Sequence, residues 1–330
     1  MTTPITLPPR GIIGATLTPF TKRGSVSPDL LHQELDLLTT HCDAVSILGP
    51  EVSEYRSLSE KQRTNALSSG INTVDGRVPV IAGVSGQSPR TVLRRIDHAA
   101  SAGASFVQVL IPRHPGGNAA SLSDLVAYVT YLTSESALPI ILYHNPTRGT
   151  DTGASTMIEL CRIDGVVGIK ESSRDLTKIG RLCQEIDDNG LARYYTTMQA
   201  VLPTLLLGGS GAMMPPPGTL IGAQVVHHFR AGNTDTAAWW QRQFRLWPGG
   251  WADAGLTTVM KASMALLGID LGGPSEPFSP LPPDRITDLK NWIQDSGLTE
   301  LFSAARQIDP ANPSVTAIQH EPATLGRKAP

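Results

Sequence analysis

Strand-like runs alternate with amphipathic helices along most of this 330-residue chain, and that alternation constrains the fold more than any other feature. Eight short runs, mostly rich in Val, Ile and Leu, fall at residues 11–18, 44–48, 78–84, 105–111, 138–144, 166–170, 193–197 and 211–214. They are nearly continuously apolar, as strands covered on both faces are. Helical punctuation separates them. Ser27-Pro28 and Ser88-Pro89 each read as an N-cap followed by proline at the first helical position. Ser59 with Gln62 has the spacing of a capping box. Val92, Leu93, Ile96, Ala99 and Ala100 form one apolar stripe that Gly103 ends. Leu176, Ile179, Leu182 and Ile186 mark another, with Asp175 in its first turn. Eight strand–helix units predict an α/β fold, a (β/α)8 TIM barrel over residues 1–232. A doubly wound open sheet is the runner-up, but no GxGxxG follows the first strand.

Past Gly232 the pattern becomes purely helical, which predicts a C-terminal helical extension over residues 233–308, packed on the barrel. Trp240, Phe244 and Trp247 fall at i, i+4 and i+7 and suit that packing; a subunit contact is the alternative. Residues 309–330 are polar and proline-containing and read as a disordered tail. A 40% apolar and 17% charged composition fits a globular protein with a sizeable core. The formal net charge of −2, with no basic run, argues against nucleic acid and anionic membranes as partners. Residues 1–10 carry no apolar signal region, and no stretch reaches the roughly 20 apolar residues of a membrane span. Cys42, Cys161 and Cys183 lack metal-type spacing and read as buried free thiols, with a reducing cytoplasm as the default location.

Of the seven lysines, one closes a strongly apolar strand run. Lys170 closes the run Val166-Val167-Gly168-Ile169. Burying an ammonium costs several kcal/mol unless it is paired or deprotonated. A lysine made neutral by its surroundings is a nucleophile suited to Schiff-base formation with a carbonyl. The bland reading is a lysine that snorkels past the strand end into water. The active site of an α/β barrel lies at the C-terminal strand ends. There this chain places Glu51, Ser53 and Glu54 after the second strand, Arg113 and His114 after the fourth, Tyr143, His144 and Arg148 at the fifth, and Met213 at the eighth. This set suits carbonyl chemistry better than metal chemistry, since no HxH or HExxH spacing is present. Tyr143 could shuttle protons and Arg148 could grip a carboxylate. No cofactor and no metal are expected.

The segments Gly14-Ala15-Thr16-Leu17-Thr18-Pro19-Phe20, Tyr143-His144-Asn145-Pro146-Thr147-Arg148, Gly168-Ile169-Lys170-Glu171, Gly208-Gly209-Ser210-Gly211-Ala212 and 261–268 together are familiar. The chain resembles the dihydrodipicolinate synthase / N-acetylneuraminate lyase family of Schiff-base aldolases, from about residue 11 to at least residue 280. The resemblance implies a barrel with a helical extension, usually a homotetramer, acting on a small 2-oxo acid such as pyruvate. It makes Lys170 the Schiff-base lysine, Tyr143 the proton-transfer tyrosine and Arg148 a carboxylate-binding arginine. Three departures stand out. The second-strand loop, usually G-T-T-G-E or G-S-T-G-E, here reads Gly49-Pro50-Glu51-Val52-Ser53-Glu54. Either Glu54 or Ser53 takes the place of its glutamate, depending on the register, and neither register offers a threonine pair. Arg113 and His114 replace a second tyrosine, and His144 replaces the asparagine after Tyr143. Ser53, Glu54, Arg148, Arg113 and Met213 are therefore candidate substrate-binding residues, and His114 a substitute acid/base beside Lys170 and Tyr143. The expected function is a carbon–carbon or carbon–oxygen lyase of divergent specificity. The alternatives are a non-catalytic barrel that binds a small carboxylate and 4-hydroxy-tetrahydrodipicolinate synthase proper.

Overall fold

The structure, a computed structural model, describes residues 6–114, 119–146, 151–247 and 254–309. Eight parallel strands close a barrel in chain order. They are β1 (Gly11–Ala15), β2 (Ala44–Ile47), β3 (Val80–Gly83), β4 (Phe106–Leu110), β5 (Ile140–His144), β6 (Val166–Glu171), β7 (Arg193–Thr196) and β8 (Gly211–Met214). One helix follows each strand: α1 (Pro28–Thr39), α2 (Glu60–Val74), α3 (Pro89–Ala102), α4 (Leu122–Glu135), α5 (Ala154–Cys161), α6 (Leu176–Leu182), α7 (Val201–Leu206) and α8 (Gly218–Arg230). Beyond them lie α9 (Thr234–Leu246), α10 (Leu256–Leu267), α11 (Pro283–Asp295) and α12 (Leu298–Gln307). The expected TIM barrel with added C-terminal helices is the observed fold, and an observed strand falls in each predicted run, with β6 extending one residue beyond its predicted end at Lys170. No helix among the described residues is long and apolar enough to cross a membrane.

Ser27 sits at the N-cap of α1 with Pro28 after it, but its side chain makes no capping hydrogen bond; the other cap signals act as their chemistry requires. Ser59 and Gln62 close a reciprocal capping box on α2. Ser88 accepts from Thr91 N at the start of α3, and Gly103 ends that helix at φ 96°. Asp175 caps α6 through Thr177 N and Lys178 N. Leu176 departs from its expected place: it is 56% exposed, whereas Ile179, Leu182 and Ile186 are buried. Trp240, Phe244 and Trp247 are buried in the main core, so this stripe packs inward. The three cysteines are free and buried. Residues 310–330, most of the predicted tail, lie outside the described residues.

A bulge decides which way Lys170 points. The barrel interior is floored by Ile13, Ala44, Ile81, Phe106, Ile141, Val167, Tyr195 and Met213, one residue from each strand. Strict alternation from Val167 would turn Ile169 inward and Lys170 outward. The β5–β6 register instead shifts between Ile140 and Ile141, so that Ile140 pairs Val166 while Ile141 pairs Gly168. The extra residue resets the phase. Ile169 then joins the outer core, and Lys170 lies beside Tyr143 at the inner rim.

The loop after β2 is bent over the barrel mouth. Leu48, Glu51 and Glu54 have φ of 58°, 74° and 51°, left-handed values that cost non-glycine residues energy and persist only where surroundings over-determine them. Glycine makes the close approach possible. A Cβ on Gly83 of β3 would lie 1.8 Å from the Leu48 carbonyl oxygen. Gly83→Ala is therefore expected to lose about 1–3 kcal/mol of stability in urea denaturation and to displace this loop. Gly273→Ala, where an added methyl meets nothing within 4 Å, should be nearly neutral.

Candidate active site

The amine of Lys170 sits where β5 and β6 run side by side, with Tyr143 and Lys170 in direct register. Lys170 is 9% exposed. Its Nζ donates to the Tyr143 hydroxyl at 3.1 Å and stands 4.2 Å from the centre of the Tyr143 ring. It also donates to Ser172 Oγ, and Ser172 Oγ donates to the Tyr143 hydroxyl at 3.3 Å. An amine and two hydroxyls thus form a closed triangle. Burial pulls the Lys170 pKa down to about 7, against the opposing pull of Glu51 and Glu171. About half the amine is then neutral at pH 7, whereas an ordinary lysine is almost wholly charged. Burial drives the Tyr143 phenol the other way, above its usual range, with Glu51 adding to the effect. The pair is suited to nucleophilic attack by Lys170 and proton donation by Tyr143.

The triangle forms part of the wall of a cavity of about 320 Å³, within the range of small-molecule sites. Gln108 and Met213 line it from within the barrel, and Gln108 Nε2 donates to Met213 Sδ at 3.1 Å. Glu51, Asn145, Arg174, Thr197 and Thr257 complete its polar lining. Sequence reading did not nominate Ser172 or Arg174. The signal for both was spacing, since every second residue from Lys170 stays on one side of an extended chain.

Among the residues nominated from sequence, Lys170, Tyr143 and Met213 share this cavity. Ser53 and Glu54 do not line it, and the reason is local. Ser53 is fully buried under the loop, where its Oγ donates to the Gly49 carbonyl and its own carbonyl accepts from Thr18 Oγ1. Glu54 turns to the extension: it pairs with Lys261 Nζ at 2.6 Å and accepts from Ser275 N at 2.6 Å. Lys261 Nζ also donates to the Gly273 carbonyl at 2.9 Å. Arg113 lines a separate groove with Tyr55, Arg56 and Arg95. His114 is exposed, 4.0 Å from Asp124, and does not line the cavity. Arg148 lies outside the described residues. His144 faces the outer side of the barrel wall, 3.0 Å from Asp151, where Lys178 bridges Asp151 and Glu171.

Two outcomes follow from these charges. Removing Lys261 leaves a buried carboxylate without its cation, so Lys261→Met should cost about 3–5 kcal/mol in chemical denaturation. Combining it with Glu54→Gln should recover part of that loss. At Lys170, the negative charge of Glu51 favours the ammonium form. Glu51→Gln should therefore lower the Lys170 pKa, and the rate of lysine modification by a carbonyl reagent should reach half its plateau at lower pH than in the wild type.

The profile of the dihydrodipicolinate synthetase family matches residues 8–296. The 4-hydroxy-tetrahydrodipicolinate synthase of Methanoculleus marisnigri is 30% identical over 230 residues, covering 68% of this chain and 77% of that one. The enzyme of the same name from Bacillus velezensis is 27% identical over 286 residues, covering 85% and 97%. Among solved structures, a prophage protein of the dihydrodipicolinic acid synthase family from E. coli K12, determined in complex with pyruvate, superposes with a TM-score of 0.80. It is 25% identical, with 88% of this chain and 99% of that one covered. A closed eight-stranded barrel, a buried lysine on its sixth strand and a family match over nearly the whole chain converge: this protein belongs to the dihydrodipicolinate synthetase family, a lyase family of the class I aldolase type.

Proposed function

We propose that the protein is a Schiff-base-forming lyase, an aldolase or dehydratase acting on a 2-oxo acid. The observation that carries this reading is the buried Lys170 amine held 3.1 Å from the Tyr143 hydroxyl. The pyruvate bound to the E. coli relative gives the substrate class independent support. Neutral Lys170 attacks the keto carbon, forming a carbinolamine. Tyr143 donates the proton with which the hydroxyl leaves as water, and an iminium remains. Ser172, within reach of both groups, relays a proton from water to the phenolate and is itself left as the hydroxyl.

The iminium then acts as an electron sink. In the aldolase branch, removal of the C4 hydroxyl proton sends the C3–C4 bonding pair toward the iminium, and an aldehyde leaves with an enamine behind it. In the dehydratase branch, loss of a C3 proton forms the enamine, which expels the C4 hydroxyl as water. In the aldolase branch the enamine takes a proton at C3 to become an iminium again; in both branches water then hydrolyses the iminium, releasing the 2-oxo acid and a proton and regenerating the amine. The lysine-pathway synthase is the weaker reading. Its usual loop hydroxyls have no counterpart here, because Pro50 and Glu51 occupy the cavity side of the loop and Ser53 is buried beneath it.

Incubation with pyruvate and borohydride should leave a stable mass increment on the peptide that contains Lys170, and none in Lys170→Ala. A panel of 2-oxo acids and 3-deoxy-2-oxo sugar acids, assayed for pyruvate release or water loss, should reveal turnover. Tyr143→Phe should reduce its kcat by about 10²–10⁴-fold. Turnover unchanged in Lys170→Ala would refute the mechanism.

A further inference from the structure

The cavity is electrically lopsided. Its charged lining among the described residues consists of Glu51 on the β2 side and Lys170 and Arg174 on the β6 side. Lys170, Ser172 and Arg174 are alternate residues and all line the cavity, so β6 and the loop beyond it form one wall from base to mouth. Exposure rises along that wall: Lys170 is buried, Ser172 half-buried and Arg174 exposed. At roughly 3.3 Å per extended residue, the Cα of Arg174 stands up to about 13 Å beyond that of Lys170. Two long side chains reaching toward each other across that span leave room for a short carbon chain.

An exposed loop arginine is ordinarily a solvated charge. Two observations set this one apart. Arg174 makes no hydrogen bond or ion pair to any described residue, although it borders a cavity. The Glu51 carboxylate is equally without a hydrogen bond or ion pair to any described residue, and it lines the same cavity without neutralising Arg174 at ion-pair distance. A substrate carboxylate entering this space is repelled from the β2 side and drawn to the β6 side. The forked guanidinium offers it two parallel hydrogen bonds.

Resting on the Schiff-base reading above, we propose that Arg174 is a specificity-determining residue that binds a second carboxylate, at the end of the substrate distal to the carbonyl that Lys170 captures. The substrates of this site are then dicarboxylic 2-oxo acids, and the carboxylate beyond the reacting carbon is held at the cavity mouth. Arg113 does not serve this purpose, since it lines a different groove.

Borohydride trapping tests the assignment without knowledge of the natural substrate. The probes are pyruvate, 2-oxohexanoate and 2-oxoadipate; the last two share a chain length and differ by a terminal carboxylate. The readout is the probe concentration that gives half-maximal labelling of Lys170. The wild type should require at least 10-fold less 2-oxoadipate than 2-oxohexanoate. Arg174→Gln should abolish that preference, Arg174→Lys should keep part of it, and Arg174→Glu should reverse it. Unchanged thermal melting of the three variants establishes that they are folded. If pyruvate labels Lys170 but the wild type shows no preference, or Arg174→Gln retains it, this assignment fails and the Schiff-base reading stands. If none of the probes labels Lys170, both fail together.

Discussion

Three lysines among the described residues are buried, and they differ in what surrounds each amine. Lys178 and Lys261 each meet a carboxylate at 2.6 Å, Asp151 and Glu54 respectively. Lys170 is as buried as Lys178, but its hydrogen-bond partners are the hydroxyls of Tyr143 and Ser172. Hydroxyls solvate an amine without stabilising its charge as a contacting carboxylate would. Burial pulls the Lys170 pKa down to about 7 against the opposing charges of Glu51 and Glu171. The barrel supplies the dry interior, and the β5–β6 bulge aims the side chain into it.

The loop after β2 divides its acidic residues between two tasks. Glu51 reaches the cavity, and Glu54 reaches the helical extension. Left-handed backbone at both positions turns them to opposite sides of a short segment. Strain of this kind persists because Gly83, the buried Ser53 and the Glu54–Lys261 pair hold the loop down from below and beside it. A loop tied at so many points presents a preformed wall to a ligand rather than a flap.

The barrel was legible in the sequence because parallel strands buried on both faces announce themselves as continuous apolar runs. Lys170 and Tyr143 were legible because strand ends of a barrel point to one face. The rest of the site was not, for definite reasons. Ser53 and Glu54 were nominated from position alone, and position cannot show that a loop of positive-φ residues turns one side chain under itself and sends the other to a helix near the C-terminus. Glu54 found Lys261, 207 positions away, and no local pattern encodes such a partner. Arg113 and His114 follow the correct strand, but the chain leaves β4 toward a neighbouring groove. Ser172 and Arg174 were overlooked because the strand was taken to end at Lys170, whereas its alternation runs on along the cavity wall. The bulge itself was invisible, since an inserted residue in Val166-Val167-Gly168 is as apolar as its neighbours.

The link between Glu54 and Lys261 has a consequence for how such a protein diverges. α10 contributes Lys261 to the underside of the mouth, and its first turn contributes Leu256 and Thr257 to the cavity, with Thr257 Oγ1 donating to the Val52 carbonyl at 3.4 Å. The appended helices are thus a buttress for the rim rather than ballast on the outside. Drift in α10, or in the turn around Gly273 and Ser275, can tilt Glu51 toward or away from an incoming ligand without replacing any residue that touches it. Remodelling of selectivity can begin there, at a distance, while the lysine and its tyrosine stay as they are.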